Sequence, residues 1–163
     1  MLDSLIQNTK DKTKNQMKTL TQTIIPRIAM YRVLLAENIS DNASYEYIRK
    51  YMMEKIATKK HASMVKMEKV PGFYGIYSKI FLKFMKKTDL QESTLKKEKT
   101  SFDVTITKCI LHKACVENGC DTLCSLFCDV DDVTYGNLKK LGFSRTKTLG
   151  YGGDCCDFHF FKK

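Results

Sequence analysis

The sequence lacks long apolar segments. No stretch approaches the ~18 consecutive apolar residues that a membrane-spanning helix needs. The first 20 residues are polar and contain several lysines, without the apolar core of a secretory signal peptide. We therefore expect a cytoplasmic protein with no membrane partner. The length of 163 residues fits one domain, since domains commonly contain roughly 100–150 residues.

Arginine is also scarce, because only four of the 28 basic residues are Arg and the other 24 are Lys. Proteins that read bases and phosphates rely on the planar, two-donor fork of Arg. The basic excess lies in residues 1–100, with 20 basic against 10 acidic residues, whereas residues 101–163 contain eight of each. The lysines are dispersed, so we interpret them as a solvated surface and predict no nucleic-acid partner.

Cysteine is absent from the first 108 residues, and all seven cysteines lie between Cys109 and Cys156. The number is odd and a reducing cytosol keeps thiols free, so we expect no disulfide framework. No Cys-x-x-Cys pair occurs either, although this is the common spacing of structural zinc sites. The cysteines of the last third therefore indicate packing, catalysis or an unusually spaced metal site.

Residues 1–87 show the three- and four-residue spacing of apolar side chains that is typical of helices. One such stripe follows Pro71-Gly72, and we predict that it belongs to the core. It contains Phe73, Ile76, Tyr77, Ile80, Phe81 and Phe84. Residues 88–100 are polar and show little periodicity, which predicts a loop.

The pattern changes in residues 101–163. Phe102, Val104 and Ile106 alternate with polar residues, which predicts a strand that ends at Cys109. Short helices are predicted over 110–117, 120–127 and 133–141, the last capped by Asp131 or Asp132, and strands over 143–149 and 155–161. Helices followed mostly by strands indicate an α+β fold. We predict a single domain, residues 1–163, in which the helical N-terminal part packs on a small antiparallel sheet from the C-terminal third.

Four short pieces of the last third carry cysteine, aspartate and arginine in a defined order. They are Phe102-x6-Cys109, Cys128-Asp129, Arg145-x2-Thr148-Leu149 and Gly153-x2-Cys156-Asp157-Phe158-x-Phe160. Over about residues 100–161 the chain thereby resembles the L-2-amino-thiazoline-4-carboxylic acid hydrolase family. Members of that family often have an aromatic residue soon after the Cys-Asp step, where this chain has Val130-Asp131-Asp132-Val133.

The resemblance implies a hydrolase that opens the five-membered ring of a small-molecule substrate. Water adds to the carbon between the ring nitrogen and the sulfur, and the sulfur then leaves, which gives a carbamoyl-cysteine. Such chemistry needs a nucleophile or a base and a cation for the substrate carboxylate. The candidate catalytic residues are Cys109, Cys128, Asp129 and Cys156. Arg145 is the candidate carboxylate clamp, with Asp157 beside it. We predict that Cys109, the Cys128-Asp129 step and Cys156 converge.

Each candidate also has a structural interpretation. Asp129 can cap a helix, and Arg145 can form a buried ion pair with Asp157. The remaining cysteines are interpreted as core residues, because buried thiols often only pack; these include Cys115, Cys120 and Cys124. The histidines are treated as structural because they lack the spacing of metal ligands, and they are His61, His112 and His159.

Two other classes of function stay open. No cofactor is predicted, but Cys109, Cys128, Asp129 and Cys156 include the ligand types of a zinc site. The ending Gly-Gly-Asp-Cys-Cys-Asp-Phe also resembles vinyl-reductase-type small-ligand domains, in which a cysteine near the C-terminal strand can bind zinc. The alternative is therefore a non-catalytic sensor of a small ligand or zinc. An interaction module is the third possibility, and an exposed apolar patch on residues 73–84 would favour it.

Overall fold

The computed structural model describes residues 1–163. Its first part is a succession of helices: α1 (Leu2–Asn8), α2 (Lys14–Gln22), α3 (Ile24–Ala36), α4 (Asp41–Tyr51), a π-helical turn (Met52–Ala57), α5 (Thr58–Met67) and α6 (Phe73–Lys87). The second part comprises β1 (Gln91–Lys97), β2 (Ser101–Cys109), α7 (Ile110–Glu117), α8 (Leu123–Tyr135), β3 (Leu141–Ser144), a 3-10 turn (Leu149–Tyr151) and β4 (Cys156–Lys162). None of the helices combines the length and apolar character that crossing a bilayer requires.

The four strands form one antiparallel sheet in the order β1-β2-β4-β3. In the centre, Val104 of β2 lies opposite Phe158 of β4, and Phe143 of β3 lies opposite Phe160. Successive strand residues face opposite sides, so alternate positions of β2 and β4 build the buried inner face. These residues are Phe102, Val104, Ile106, Cys156, Phe158 and Phe160. The predicted α+β class is confirmed.

The loop predicted for residues 88–100 is wrong, because this segment contains the edge strand β1. β1 pairs with β2 from Gln91 opposite Cys109 to Lys97 opposite Phe102, and Leu95 packs against the core. An edge strand is held mainly by backbone hydrogen bonds, and its lysines discourage pairing with another chain. The apolar alternation on which strand prediction depends is therefore largely missing.

The helices predicted over residues 120–127 and 133–141 are one helix, α8, which continues through the Cys-Asp step. The predicted capping residues Asp131 and Asp132 lie inside it, where Asp132 pairs with Arg145 and Asp131 faces a cavity. α8 ends at Tyr135, so the strand predicted over residues 143–149 begins earlier and is shorter, as β3.

Two buried clusters hold these elements together. The first packs the N-terminal helices on α7 and α8, around Ile28 and Leu123. The second lies between α6 and the inner face of the sheet, where the rings of Phe102 and Phe160 stack with centroids 4.9 Å apart. α8 contributes Val130 to the first cluster and packs against the second near its end. A cleft between the two clusters is consequently bordered by α8.

The π-helical turn keeps the buried side chains of the long α4–α5 helix on one side. They are Ser44, Ile48, Met52, Ala57 and Met64. The step from Met52 to Ala57 is five residues, which in an α-helix would rotate Ala57 by about 100° relative to a four-residue step. The wider π turn absorbs the extra residue. α5 then presents Lys60 and His61 to α8, and His61 Nδ1 lies 3.2 Å from the carbonyl oxygen of Thr134.

The prediction that the apolar stripe of α6 is core is wrong for half of its residues. Phe73 is buried, and Tyr77 and Phe81 pack over the sheet. The apolar positions occupy more of the helix circumference than one sheet face can cover. The remaining three side chains are therefore exposed, namely Ile76, Ile80 and Phe84.

Candidate active site

A cavity of about 220 Å³ lies between α6, α7, α8 and the inner face of the sheet. Thirteen of its eighteen lining residues are hydrophobic, and much of the wall is aromatic, with Phe81, Phe84, Phe127 and Phe158. Phe84 and Lys60 line the cavity and are also exposed to solvent, so they mark its opening. The volume is below the ~300–1,000 Å³ typical of pockets for drug-sized ligands. The cavity therefore suits a small molecule.

The structure brings all three predicted site cysteines together at this cavity. Cys109 lies at the end of β2, Cys156 at the start of the neighbouring strand β4, and Cys128 on α8. Cys124, one turn before Cys128, also lines the cavity while it fills the core. Thiols from three separate segments thus face one small space.

These thiols are neutral at physiological pH. Burial raises the pKa of Cys156 to about 12, even though the amide of Leu149 donates to its Sγ at 3.3 Å. The hydrogen bond with Cys124, and then burial, raise the pKa of Cys128 well above its ordinary value. Burial also raises the pKa of Cys109. Because the thiolate is the nucleophilic form, none of the three is activated in this state.

Cys109 nevertheless has a distinct environment. It is the N-cap residue of α7, and the backbone amides of His112 and Leu111 lower its pKa against the larger effect of burial. The start of a helix favours negative charge. His112 also lines the cavity. A thiolate formed at Cys109 would therefore have amide partners and an imidazole nearby.

Asp131 is the only carboxylate that lines the cavity. It follows Cys128 by three residues, on the same face of α8. Burial raises the pKa of Asp131 to about 6, while the positive charges of Lys60 and Arg145 act in the opposite direction. A carboxylate of this pKa is ionised at neutral pH and is a stronger base than an ordinary aspartate. The cavity thus contains one base, with a lysine at its opening.

Two predicted site carboxylates lie elsewhere. Asp129 accepts a hydrogen bond from the Tyr151 hydroxyl at 2.5 Å and is not a lining residue. Asp157 lies on the outer face of the sheet and accepts hydrogen bonds from the amides of Thr146 and Lys147, at 2.9 and 2.8 Å. These contacts order the segment between β3 and β4, and they bring neither carboxylate to the cavity.

Arg145 forms an ion pair with Asp132, so the alternative interpretation of Arg145 as the partner of Asp157 is wrong. Its side chain is only 10% exposed, and its Nη1 is buried without a hydrogen-bond partner. Arg145 does not line the cavity, yet its charge lowers the pKa of Cys128 and of Asp131. It therefore acts on the cavity through its charge.

Four polar residues of the cavity escape the sequence predictions: Asp131, Lys60, His112 and Gln91. Asp131 is predicted as a helix cap and His112 as structural. The spacing of Cys128 and Asp131 is a usable signal, because residues three apart share a helix face, but only once α8 is recognised as continuous. Lys60 carries no such signal, since it is one of 24 lysines.

The cavity is lined by side chains of the types that bind metal ions, but they are not arranged to hold one. Thiols and a carboxylate are suitable ligands for zinc, and Cys109, Cys128, Cys156 and Asp131 all line the wall. However, no group of three or more His, Cys, Asp or Glu side chains is placed to hold a metal ion. The zinc alternative therefore gains no geometric support.

Fold and cavity together define an α+β protein with a small apolar cavity that is lined by one carboxylate and several thiols. The family model described as L-2-amino-thiazoline-4-carboxylic acid hydrolase matches residues 16–160 of the 163. The chain belongs to this family. The resemblance predicted from the last third is confirmed, and the match extends through most of the helical part. No curated protein and no solved structure matches the chain.

Proposed function

We propose that the protein hydrolyses 2-amino-thiazoline-4-carboxylate, or a closely related small heterocycle, to a carbamoyl-cysteine. The observation that carries this proposal is the position of Asp131, the single carboxylate in an apolar cavity with Lys60 at the opening. A cleft carboxylate whose pKa is raised by burial has the properties of a general base. Membership of the hydrolase family supports the substrate class.

The two charged ends of the substrate match the two charged groups of the cavity. In the proposed complex, the Lys60 ammonium binds the substrate carboxylate and Asp131 faces the ring amidine. The rings of Phe81 and Phe158 pack on the heterocycle, and the neutral thiols contact its sulfur. Arg145, predicted as the clamp, is assigned a different role, because its guanidinium pairs with Asp132. It moderates the basicity of Asp131.

Asp131 also accounts for the proton transfers of ring opening. It takes a proton from a water molecule, the water oxygen forms a bond to the carbon between nitrogen and sulfur, and the electron pair of the carbon–nitrogen double bond moves to the ring nitrogen, which receives that proton from Asp131. Asp131 then takes the second proton from the new hydroxyl group as the carbonyl forms, and the carbon–sulfur bond breaks with its electron pair leaving on sulfur. The carboxyl of Asp131 gives this second proton to that sulfur. One water is consumed, and the product carries a carbamoyl group on nitrogen and a free thiol.

A covalent route through Cys109 is the alternative mechanism, and its position at the start of α7 favours it among the cysteines. The thiolate, formed with His112 as the base, would attack the same carbon, and the ring carbon–sulfur bond would break as His112 returns the proton to the leaving sulfur. Water would then cleave the bond between that carbon and Cys109 Sγ, which gives the carbamoyl group and restores the Cys109 thiol. The raised pKa of Cys109 opposes this route. Cys128 and Cys156 then serve as neutral lining groups.

Turnover of 2-amino-thiazoline-4-carboxylate, followed by chromatography of the carbamoyl-cysteine product, tests the function and separates the mechanisms. Asp131→Asn is expected to lower kcat by ~100-fold or more, the usual contribution of a general base. Asp129→Asn makes the same change two residues earlier, at the carboxylate that contacts Tyr151, and is expected to retain activity. Cys109→Ser should also remain active.

Complete loss of activity in Cys109→Ser, with Asp131→Asn still active, would replace the water mechanism with the covalent one. Binding of the thiazoline without turnover by the unmodified protein would instead support the small-ligand sensor. Calorimetric binding measurements on the same preparations distinguish these results, because they do not depend on product formation.

A further inference from the structure

The outward side of α6 presents a row of exposed apolar side chains. Ile76, Ile80 and Phe84 follow one another at four-residue intervals, so they align along the helix. Their exposed fractions are 46%, 65% and 53%, and Ile80 has the highest value of all large hydrophobic residues in the chain. Single exposed apolar residues are common, but an aligned row forms a continuous patch.

A row of lysines runs alongside this apolar row. Lys79, Lys83 and Lys87 are exposed and also spaced by four residues, and each lies three positions after an apolar member of the first row. Lys86 adds a further charge near the end of the helix, and α6 contains no acidic residue. We call the two rows together the α6 face. Its positive charge agrees with the excess of 10 basic residues in residues 1–100.

We propose that the α6 face docks on an anionic phospholipid surface. A helix face that combines aliphatic and aromatic side chains with lysines is suited to the boundary between headgroups and acyl chains. The lysines require a partner of negative charge, which excludes a second copy of the chain, since the same lysines would then face each other. Besides the lysines, the face has no side chain that could form directed hydrogen bonds with a protein surface.

The docking is peripheral. α6 has 15 residues, which gives a length of about 22 Å, and it lies along the surface with the apolar row pointing into the headgroups. Each lysine close to an anionic surface strengthens binding roughly fivefold. The inference departs from the expectation of no membrane partner, because a helix that cannot span a bilayer can still lie on one.

Docking also has a consequence for the cavity. Phe84 belongs to the α6 face and to the cavity wall, and Lys60 lies at the same opening. A bilayer that covers Phe84 would therefore border the entrance. Substrate access is expected to differ between the free and the docked protein, whichever small molecule the cavity binds.

Sedimentation with vesicles tests the proposal. The unmodified protein is expected to bind vesicles of phosphatidylcholine with about 30% phosphatidylserine, and to bind vesicles of phosphatidylcholine alone at least ~10-fold more weakly. Ile80→Asp, and separately Lys79→Glu with Lys83→Glu, should each reduce binding by ~10-fold or more. Val116→Asp is the matched control, since Val116 is 49% exposed on α7, and it should bind as the unmodified protein does.

Circular dichroism confirms that each variant is folded before binding is compared. Salt of about 0.5 M should weaken the interaction by screening. The proposal is overturned if the protein ignores anionic vesicles, if it binds neutral and anionic vesicles equally, or if Ile80→Asp binds as well as Val116→Asp. Binding of an acidic protein in the absence of any vesicle binding would likewise replace the lipid surface with a protein partner.

Discussion

Asp131→Asn is expected to stabilise the protein while it lowers kcat. In the folded chain burial raises the pKa of Asp131 from 3.8 to about 6. Between these pH values the folded state binds more protons than the unfolded state, so stability falls as pH rises. The contribution of the neutral carboxyl is fully present below about pH 4 and is lost above about pH 6. At neutral pH the folded protein therefore holds an ionised carboxylate at a cost in stability.

The magnitude follows from the shift in pKa. At about 1.36 kcal/mol per pKa unit the cost is about 3 kcal/mol. The carboxyl faces a cavity that opens to water, so we expect the Asn variant to gain about 1–3 kcal/mol, because its amide fills the same space without charge. For a chain of 163 residues, this corresponds to a rise in Tm of roughly 3–10 °C at about pH 8.

Thermal unfolding at about pH 8 and about pH 4 is the appropriate assay. The gain should be present at the higher pH and absent at the lower one. Asp132→Asn is the control, because Asp132 is half exposed and pairs with Arg145, so its loss should be neutral or mildly destabilising at pH 8. A lower Tm for Asp131→Asn at pH 8 would refute the reasoning, since it would mean that the carboxylate is held by favourable contacts.

Three further changes are expected to have distinct outcomes. Deletion of Lys55 should convert the π turn to α-helix and shift Tm by only a few degrees. Deletion of Lys83 should instead rotate the end of α6 away from the sheet, so that calorimetry shows unfolding at a much lower temperature. Gly150→Ala places a Cβ 2.8 Å from the Cys128 Sγ, which should cost about 1–3 kcal/mol in denaturant unfolding, and Cys128→Ala in the same chain should recover part of it. Arg145→Ala removes a positive charge that lowers the pKa of the cavity carboxylate, so the acid limb of the kcat/KM profile should move to higher pH; an unchanged limb would exclude this electrostatic role.

The fold class was accessible from the sequence because its signals are local. The alternation of Phe102, Val104 and Ile106 identified β2, and the spacing of apolar residues identified most of the N-terminal helices. β1 was not accessible, because the stability of an edge strand comes from backbone pairing with β2. The exposure of the apolar row on α6 could not be predicted from the sequence either, since apolar side chains have the same spacing whether or not another element covers them.

The convergence of Cys109 and Cys156 has a simple basis in topology. One cysteine ends β2 and the other begins β4, and antiparallel neighbours bring these ends to the same edge of the sheet. The family pattern points to the same residues. The properties of the thiols are a different matter, because the pKa of a cysteine depends on how deeply it is buried and on which groups surround it. Neither quantity is encoded in the spacing of the cysteines.

The choice between Asp129 and Asp131 shows where sequence reasoning stops. The two residues lie on one helix, two positions apart, so their side chains point in directions that differ by about 200°. One of them must face away from any cavity that the other lines. Which one does so depends on the packing of α8, whose Val130 and Leu126 are buried in the first cluster, and on the close approach of Gly150 to Cys128. These contacts involve segments far apart in the sequence, and they turn Asp131, rather than the aspartate of the family pattern, toward the thiols.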